Sequence, residues 1–80
     1  MTQNNTIVVC EYGWIICGIV DGESETVLNM TDSYIVRKWT NGKGIGALAD
    51  ESNKSEYTFD GMGDVAINKS KILFRIPCNW

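Results

Sequence analysis

The sequence contains no histidine, one proline and three cysteines among its 80 residues. The absence of histidine excludes Ser-His and Cys-His catalysis and histidine-ligated metal sites. The cysteines, Cys10, Cys17 and Cys78, are odd in number and form no CxxC pair, which argues against a zinc site and against a disulfide framework. No paired acid and base can be named either. We therefore expect reduced thiols, no metal, no cofactor, no catalytic residues and no enzyme activity.

Long apolar runs are also missing. No run is long enough to cross a membrane, and residues 1–6 are polar rather than a secretion signal. These features predict a single domain over residues 1–80 that acts inside a cell without contacting a membrane. A domain of this size has a thin core, so we expect self-association into a homo-oligomer to add stability.

Basic residues are fewer than acidic ones, seven against ten, and the formal net charge is −3. Three of the seven, Arg37, Lys38 and Lys43, lie within residues 33–49, which contain no acidic residue. The rest of the chain has four basic and ten acidic side chains. Acidic surroundings repel a long polyanion, so the pattern favours a small phosphorylated ligand over a long nucleic acid.

Short segments rich in β-branched and aromatic residues alternate with turn signals along the chain. Asp21-Gly22 is predicted to form a hairpin turn, and residues 31–33 and 60–64 are predicted to form further turns. Residues 45–50 contain helix formers for one or two turns. The prediction is a mainly β fold, a small bent antiparallel sheet or barrel with one short helix after the glycine loop. The predicted strands are residues 6–12, 14–20, 25–30, 34–39, 57–59, 65–67 and 71–76.

The segment RKWTNGKGIGALA, residues 37–49, combines basic residues, a tryptophan and three alternating glycines. Such glycines let backbone amides approach an anion, Arg37 and Lys43 supply positive charge, and Trp39 offers a stacking surface. These are the parts of a nucleotide site, although the pattern is neither a P-loop nor a Rossmann fingerprint. A plain turn with solvated charges and a core Trp39 accounts for the same residues. The predicted ligand-binding residues are Arg37, Trp39, Thr40, Asn41, Gly42, Lys43, Gly44 and Gly46.

Residues 35–52, together with TFDGMGDV and ILFRIPCNW further on, resemble a small uncharacterised bacteriophage protein family with the motif I-R-x-W-x-x-x-K-G-x-G-x-L-A. The chain departs from that pattern at Val36 and Thr40, where the family has isoleucine and glycine. The resemblance implies a phage protein that acts in the host bacterial cytoplasm. The matching residues are Arg37, Trp39, Lys43, Gly44, Gly46, Leu48, Ala49, Asp60, Gly63 and Val65.

Small phage proteins often act by stoichiometric binding. The first hypothesis is therefore a sponge that sequesters a nucleotide immune signal of the host, such as a cyclic oligonucleotide or an ADP-ribose derivative. The alternative is a phage protein that inhibits a host protein, or a small virion-associated factor, with no nucleotide ligand. An enzyme and a single-strand nucleic-acid binder remain further alternatives. Trp80 is predicted to dock on a neighbouring subunit, because chain ends are usually polar and frayed.

Overall fold

A computed structural model describes residues 4–80 of the chain. It confirms the predicted fold class: the strands form one antiparallel sheet in the spatial order fourth, third, second, first, fifth. Short 3-10 helices link several of them, and no helix among residues 4–80 is long and apolar enough to cross a membrane. The strands are β1 (Thr6–Cys10), β2 (Ile15–Glu23), β3 (Val27–Trp39), β4 (Tyr57–Asn68) and β5 (Ile72–Pro77).

The turn between β2 and β3 lies later than the sequence predicted. Asp21-Gly22 is part of β2, and the chain reverses at residues 24–26 instead. The Ser24 hydroxyl accepts hydrogen bonds from the backbone N–H of Thr26 at 3.3 Å and of Val27 at 3.1 Å. Serine thereby closes the turn with its side chain. The pairing register shifts between Val20 and Gly22, so Asp21-Gly22 forms an irregularity within β2 rather than a turn.

The predicted turns at residues 31–33 and 60–64 are also wrong. β3 and β4 each continue through these positions as one long strand. Asp32 has a φ of 49° and Gly63 a φ of 71°, and the β3–β4 register shifts on both sides of Ser33, which faces Gly63. A residue in the left-handed region inside a paired strand bends the strand without ending it. The turn-forming residues at positions 31–33 and 60–64 therefore mark bends in two long strands.

The bends curl the sheet, and β4 and β5 are not paired with each other in the described part of the chain. β4 and β5 lie at opposite edges of the strand order, yet only Lys69–Lys71 connect them. Near this link, the Glu23 carboxylate of β2 lies 2.6 Å from the Lys69 ammonium and 3.1 Å from the Arg75 guanidinium of β5. These two cations lower the pKa of Glu23 to about 2. The ion cluster therefore ties the end of β2 to β5 and to the short link between β4 and β5.

The two faces of the sheet each cover a separate apolar core. Successive residues of β1 point to opposite faces, so Ile7 joins one core and Val8 the other. The first core also receives Leu48 from the segment between β3 and β4. Its buried members are Ile7, Cys17, Val36, Leu48, Tyr57 and Cys78. The buried members of the second core are Val8, Cys10, Ile16, Leu28, Met30 and Ile67.

The segment between β3 and β4 contains two 3-10 helices, Gly46–Ala49 and Glu51–Glu56. The first corresponds to the predicted short helix, and the second follows it after Asp50. The Asp50 carboxylate accepts a hydrogen bond from the Ser52 backbone N–H at 3.0 Å and so caps the second helix. That bond lowers the pKa of Asp50. Leu48 anchors the segment on the first core, where it is fully buried.

The C-terminal residues pair with the N-terminal part of the chain. The Cys78 backbone N–H donates to the Asn5 carbonyl at 2.9 Å, and the Asn5 N–H donates to the Trp80 carbonyl at 2.6 Å. The Trp80 indole N–H donates to the Leu48 carbonyl at 2.9 Å. Partners within its own chain therefore hold Trp80 in place, and its docking on a neighbouring subunit stays a prediction.

Candidate functional site

The glycine loop leaves the end of β3 and leads into the 3-10 helix Gly46–Ala49. Gly42 has a φ of 72° and Gly44 a φ of 81°, which is the left-handed region that favours glycine. The Asn41 side-chain oxygen accepts from the Lys43 backbone N–H at 2.9 Å, and the Tyr57 hydroxyl donates to the Gly44 carbonyl. The loop is consequently held in one conformation from both ends.

Lys43 carries the positive charge of this loop. Its ammonium lies 3.0 Å from the Asn53 side-chain oxygen and 3.5 Å from the Glu56 carboxylate. The same Glu56 oxygen accepts from the Asn41 side-chain amide at 2.6 Å. The lysine side chain is 49% exposed, so this small polar cluster lies at the surface. A bound anion could replace the Glu56 carboxylate as the partner of the Lys43 ammonium, and no buried group would have to become exposed.

Arg37 is the other predicted cationic ligand, and it sits at a bulge in β3. The β3–β4 register shifts between Val36 and Lys38, which leaves Arg37 without an opposite residue on β4. Its guanidinium donates to the Asp60 carboxylate at 2.7 Å, and the side chain is 61% exposed. That hydrogen bond raises the pKa of Arg37. Exposed ion pairs contribute little net stability, so this partner is also exchangeable.

Trp39 is half-buried and packs on the first core. Its ring centroid lies 5.5 Å from that of Tyr57, with the planes tilted by 38°. Regular alternation along a strand would place Val36 and Trp39 on opposite faces. The bulge at Arg37 shifts the alternation by one residue and brings both to the same core. Trp39 thus has a structural role, with only part of its surface open to a ligand.

The structure divides the predicted ligand-binding residues into two groups. Asn41, Gly42, Lys43 and Gly44 form the ordered loop, whose side-chain contacts lead to Asn53 and Glu56. Arg37 instead contacts Asp60 on β4. Thr40 and Gly46 are exposed. Sequence reasoning missed the acidic and amide partners and Tyr57, because their proximity depends on the β3–β4 register.

The three thiols are buried and free. Burial raises the pKa of Cys17 to about 12, with the adjacent Cys78 as a further cause. Burial also raises the pKa values of Cys10 and Cys78. Thiols in this state remain protonated and are poor nucleophiles. Within residues 4–80, no group of three or more acidic or cysteine side chains is placed to hold a metal ion.

Large apolar side chains are exposed at one end of the sheet. Tyr12, in the turn between β1 and β2, is 94% exposed, and Trp14 follows it. Phe74 of β5 faces Val9 of β1, which in turn faces Ile15, the residue after Trp14. The register therefore brings the start of β5 close to this turn, with Leu73 and Phe74 on opposite faces of the strand. The exposed apolar end consists of Tyr12, Trp14, Leu73 and Phe74.

Comparison with known proteins identifies the fold. No family model and no curated protein matches the sequence. Among solved structures, the chain is similar to a heptameric archaeal Sm protein, which was described for its implications for the eukaryotic snRNP core. The TM-score is 0.63 at 14% sequence identity, over 94% of this chain and 85% of the archaeal chain. The protein thus has the five-stranded fold of an Sm protein.

Proposed function

We propose that this chain is a phage-encoded protein that binds a small phosphorylated ligand and sequesters a nucleotide immune signal in the host bacterial cytoplasm. The ligand class is a cyclic oligonucleotide or an ADP-ribose derivative. The observation that carries the proposal is the ordered glycine loop, with one exposed cation in it and another on the adjoining strand. Lys43 and Arg37 each rest against an exposed carboxylate. A phosphate can replace these carboxylates at little cost in stability.

The residue types that the chain offers for chemistry support binding without turnover. The sequence has no histidine, and the three thiols are buried with raised pKa values. Lys43 and Arg37 supply charge-assisted hydrogen bonds, and the exposed part of Trp39 supplies an apolar contact for a base. Tyr57 and Asn41 hold the loop in place before the ligand arrives, which reduces the entropic cost of binding.

Native mass spectrometry with cyclic dinucleotides, cyclic trinucleotides and ADP-ribose derivatives tests this proposal. We expect adducts of the intact ligand that disappear in Arg37→Ala and Lys43→Ala. Lys71→Ala is the matched control, because Lys71 is an exposed lysine on another part of the protein, with the Glu11 carboxylate at 3.6 Å. Loss of either charged contact is expected to weaken binding about tenfold or more. A panel without adducts would contradict the proposal, and masses of cleaved ligand would indicate an enzyme instead.

The proposed binder is a homo-oligomer. Two observations support this part: the exposed apolar end of Tyr12, Trp14, Leu73 and Phe74, and the open edge strands of the sheet. The archaeal Sm protein with the same fold is heptameric. Phe74→Glu is expected to dissociate the assembly in analytical ultracentrifugation, whereas Ser55→Glu, an equal charge change at another exposed site, is not. A wild-type monomer at micromolar concentration would refute it.

The exposed apolar end also favours a second candidate function, a phage protein that binds and inhibits a host protein. In that case Tyr12 and Trp14 contact the host partner rather than another copy of the chain. The two functions give opposite results in the experiments above. A monomer without nucleotide adducts would favour the host partner, whereas an oligomer with intact nucleotide bound would favour sequestration.

A further inference from the structure

A cleft of about 420 Å³ lies away from the glycine loop, between the C-terminal tail and the bent strands. Its volume falls in the range of about 300–1,000 Å³ that is usual for small-molecule sites. None of the predicted ligand-binding residues borders it. The cleft, called the Trp80 cleft below, is lined by Asn5, Ile19, Asp32, Tyr34, Lys54, Phe59 and Trp80.

Three aromatic rings form much of the lining, and the fold fixes their positions. Tyr34 of β3 and Phe59 of β4 are in edge contact, with centroids 5.9 Å apart and planes at 61°. Trp80 is held by its indole bond to the Leu48 carbonyl and by two bonds from Asn5 to its own carbonyl, at 2.6 and 3.1 Å. A terminal aromatic residue with these restraints is preorganised for a ligand with a planar ring.

Lys54 places a positive charge at this aromatic surface. Its ammonium lies 4.3 Å from the centroid of the Trp80 ring. Among residues 4–80, no ion pair within 4.0 Å joins Lys54 to a carboxylate, in contrast to Lys43 and Arg37. A phosphate at Lys54 therefore has no carboxylate to displace. This lysine is a better starting point for phosphate binding than either predicted cation.

Polar groups at the cleft can contact the remaining edges of a nucleotide. Asp32 is exposed and takes part in no ion pair within the described part of the chain. Its carboxylate can accept from an exocyclic amine or a ribose hydroxyl. The Asn5 side-chain nitrogen is engaged with the Trp80 carbonyl, which leaves its oxygen as a second acceptor.

We propose that the Trp80 cleft binds a purine nucleotide unit. The base packs against Tyr34, Phe59 and Trp80, the phosphate contacts Lys54, and Asp32 accepts from the amino or hydroxyl groups. The proposal takes its ligand class from the proposed function but assigns the binding to a different site. It therefore makes predictions that differ from those of the glycine loop.

The first test uses AMP, adenosine and ribose 5-phosphate as probes, with the three tryptophan indole N–H signals followed by nuclear magnetic resonance. The signals are assigned with single Trp→Phe variants. We expect AMP to shift the Trp80 signal in a saturable way and to leave that of Trp14 unchanged. Adenosine should bind more weakly than AMP, and ribose 5-phosphate should not shift the Trp80 signal. Absence of a saturable Trp80 shift at millimolar AMP would overturn the proposal.

The second test separates charge from ring contact by substitution. Lys54→Ala should weaken AMP about tenfold or more and leave adenosine almost unchanged, because only AMP carries the phosphate. Tyr34→Leu should weaken AMP and adenosine alike by about fivefold or more. Lys71→Ala is the control and should change neither. Lys54 and Tyr34 are exposed, so native circular dichroism spectra are expected for both variants.

The outcomes distinguish this proposal from the proposed function. Loss of AMP binding in Lys54→Ala, with binding retained in Arg37→Ala and Lys43→Ala, supports the cleft and removes the glycine loop as the site. The reverse pattern, with a shift at Trp39 rather than Trp80, overturns the cleft and retains the glycine loop. Unchanged affinity in all three variants overturns both sites.

Discussion

Gly18→Ala is the substitution that tests the curled sheet most directly. A Cβ on Gly18 would lie 2.8 Å from the Ser33 hydroxyl oxygen and 2.9 Å from the Ser33 Cα. Ordinary contact begins near 3.4 Å, so the backbone of β3 must move by about 0.5 Å. Ser33 is itself buried at the β3 bend. The substitution therefore acts on a close approach between β2 and β3.

The expected cost follows from the need to move backbone in a packed interior. Such overpacking typically destabilises a protein by about 1–3 kcal/mol. For a domain of this size, 1 kcal/mol corresponds to about 4–8 °C, so a central value of about 2 kcal/mol predicts a loss of roughly 8–16 °C in the melting temperature. Urea unfolding, followed by tryptophan fluorescence and far-UV circular dichroism at one fixed protein concentration, measures the difference.

Gly22→Ala is the matched control, because Gly22 lies on the same strand with no atom within 4 Å of an added Cβ. It should be neutral or stabilise by up to about 1 kcal/mol, since alanine restricts the unfolded chain. Adding Ser33→Gly to Gly18→Ala removes the two side-chain contacts and should recover part of the loss as a coupling energy. A Gly18→Ala free energy within about 0.5 kcal/mol of Gly22→Ala would refute the close approach.

Four further predictions follow from individual residues. Leu48→Ala should lose about 2–5 kcal/mol in urea unfolding, because the side chain is fully buried; a loss below 1 kcal/mol would show that Leu48 does not anchor its segment. Gly44→Ala should lose about 1 kcal/mol in the same assay, because its φ of 81° disfavours alanine; an equally stable variant would contradict the loop conformation. Glu23 has a depressed folded-state pKa of about 2, so its contribution is present above the unfolded pKa near 4.5 and lost as the pH falls toward 2; Glu23→Gln should reduce the difference in stability between pH 7 and pH 3, and an unchanged difference would rule out the ion cluster. Cys17 should react with a thiol reagent at pH 8 only after unfolding, because its pKa is raised to about 12; rapid labelling of the native protein would contradict its burial.

The candidate site was only partly accessible to sequence reasoning. Gly42 and Gly44 were singled out because alternating glycines indicate an unusual backbone, and both have a positive φ. The carboxylates that pair with the two cations were not predicted, since Asp60 and Glu56 are far along the chain from Arg37 and Lys43. The Trp80 cleft was missed for the same reason, because β2, β3, β4 and the tail all contribute to it.

Local chemistry was sufficient to recognise a mainly β chain with antiparallel strands, because β-branched and aromatic runs between turn residues favour strands in any context. Whether a turn signal ends a strand or bends it depended on tertiary structure. Asp32 lies in β3 and Gly63 in β4, and these two strands pair with each other. The pairing continues on both sides of the two residues, so backbone hydrogen bonding carries each strand through the bend. In the same way, the bulge at Arg37 determined on which face of β3 the Trp39 side chain lies. These outcomes require partners distant in sequence, and only the folded chain brings those partners into contact.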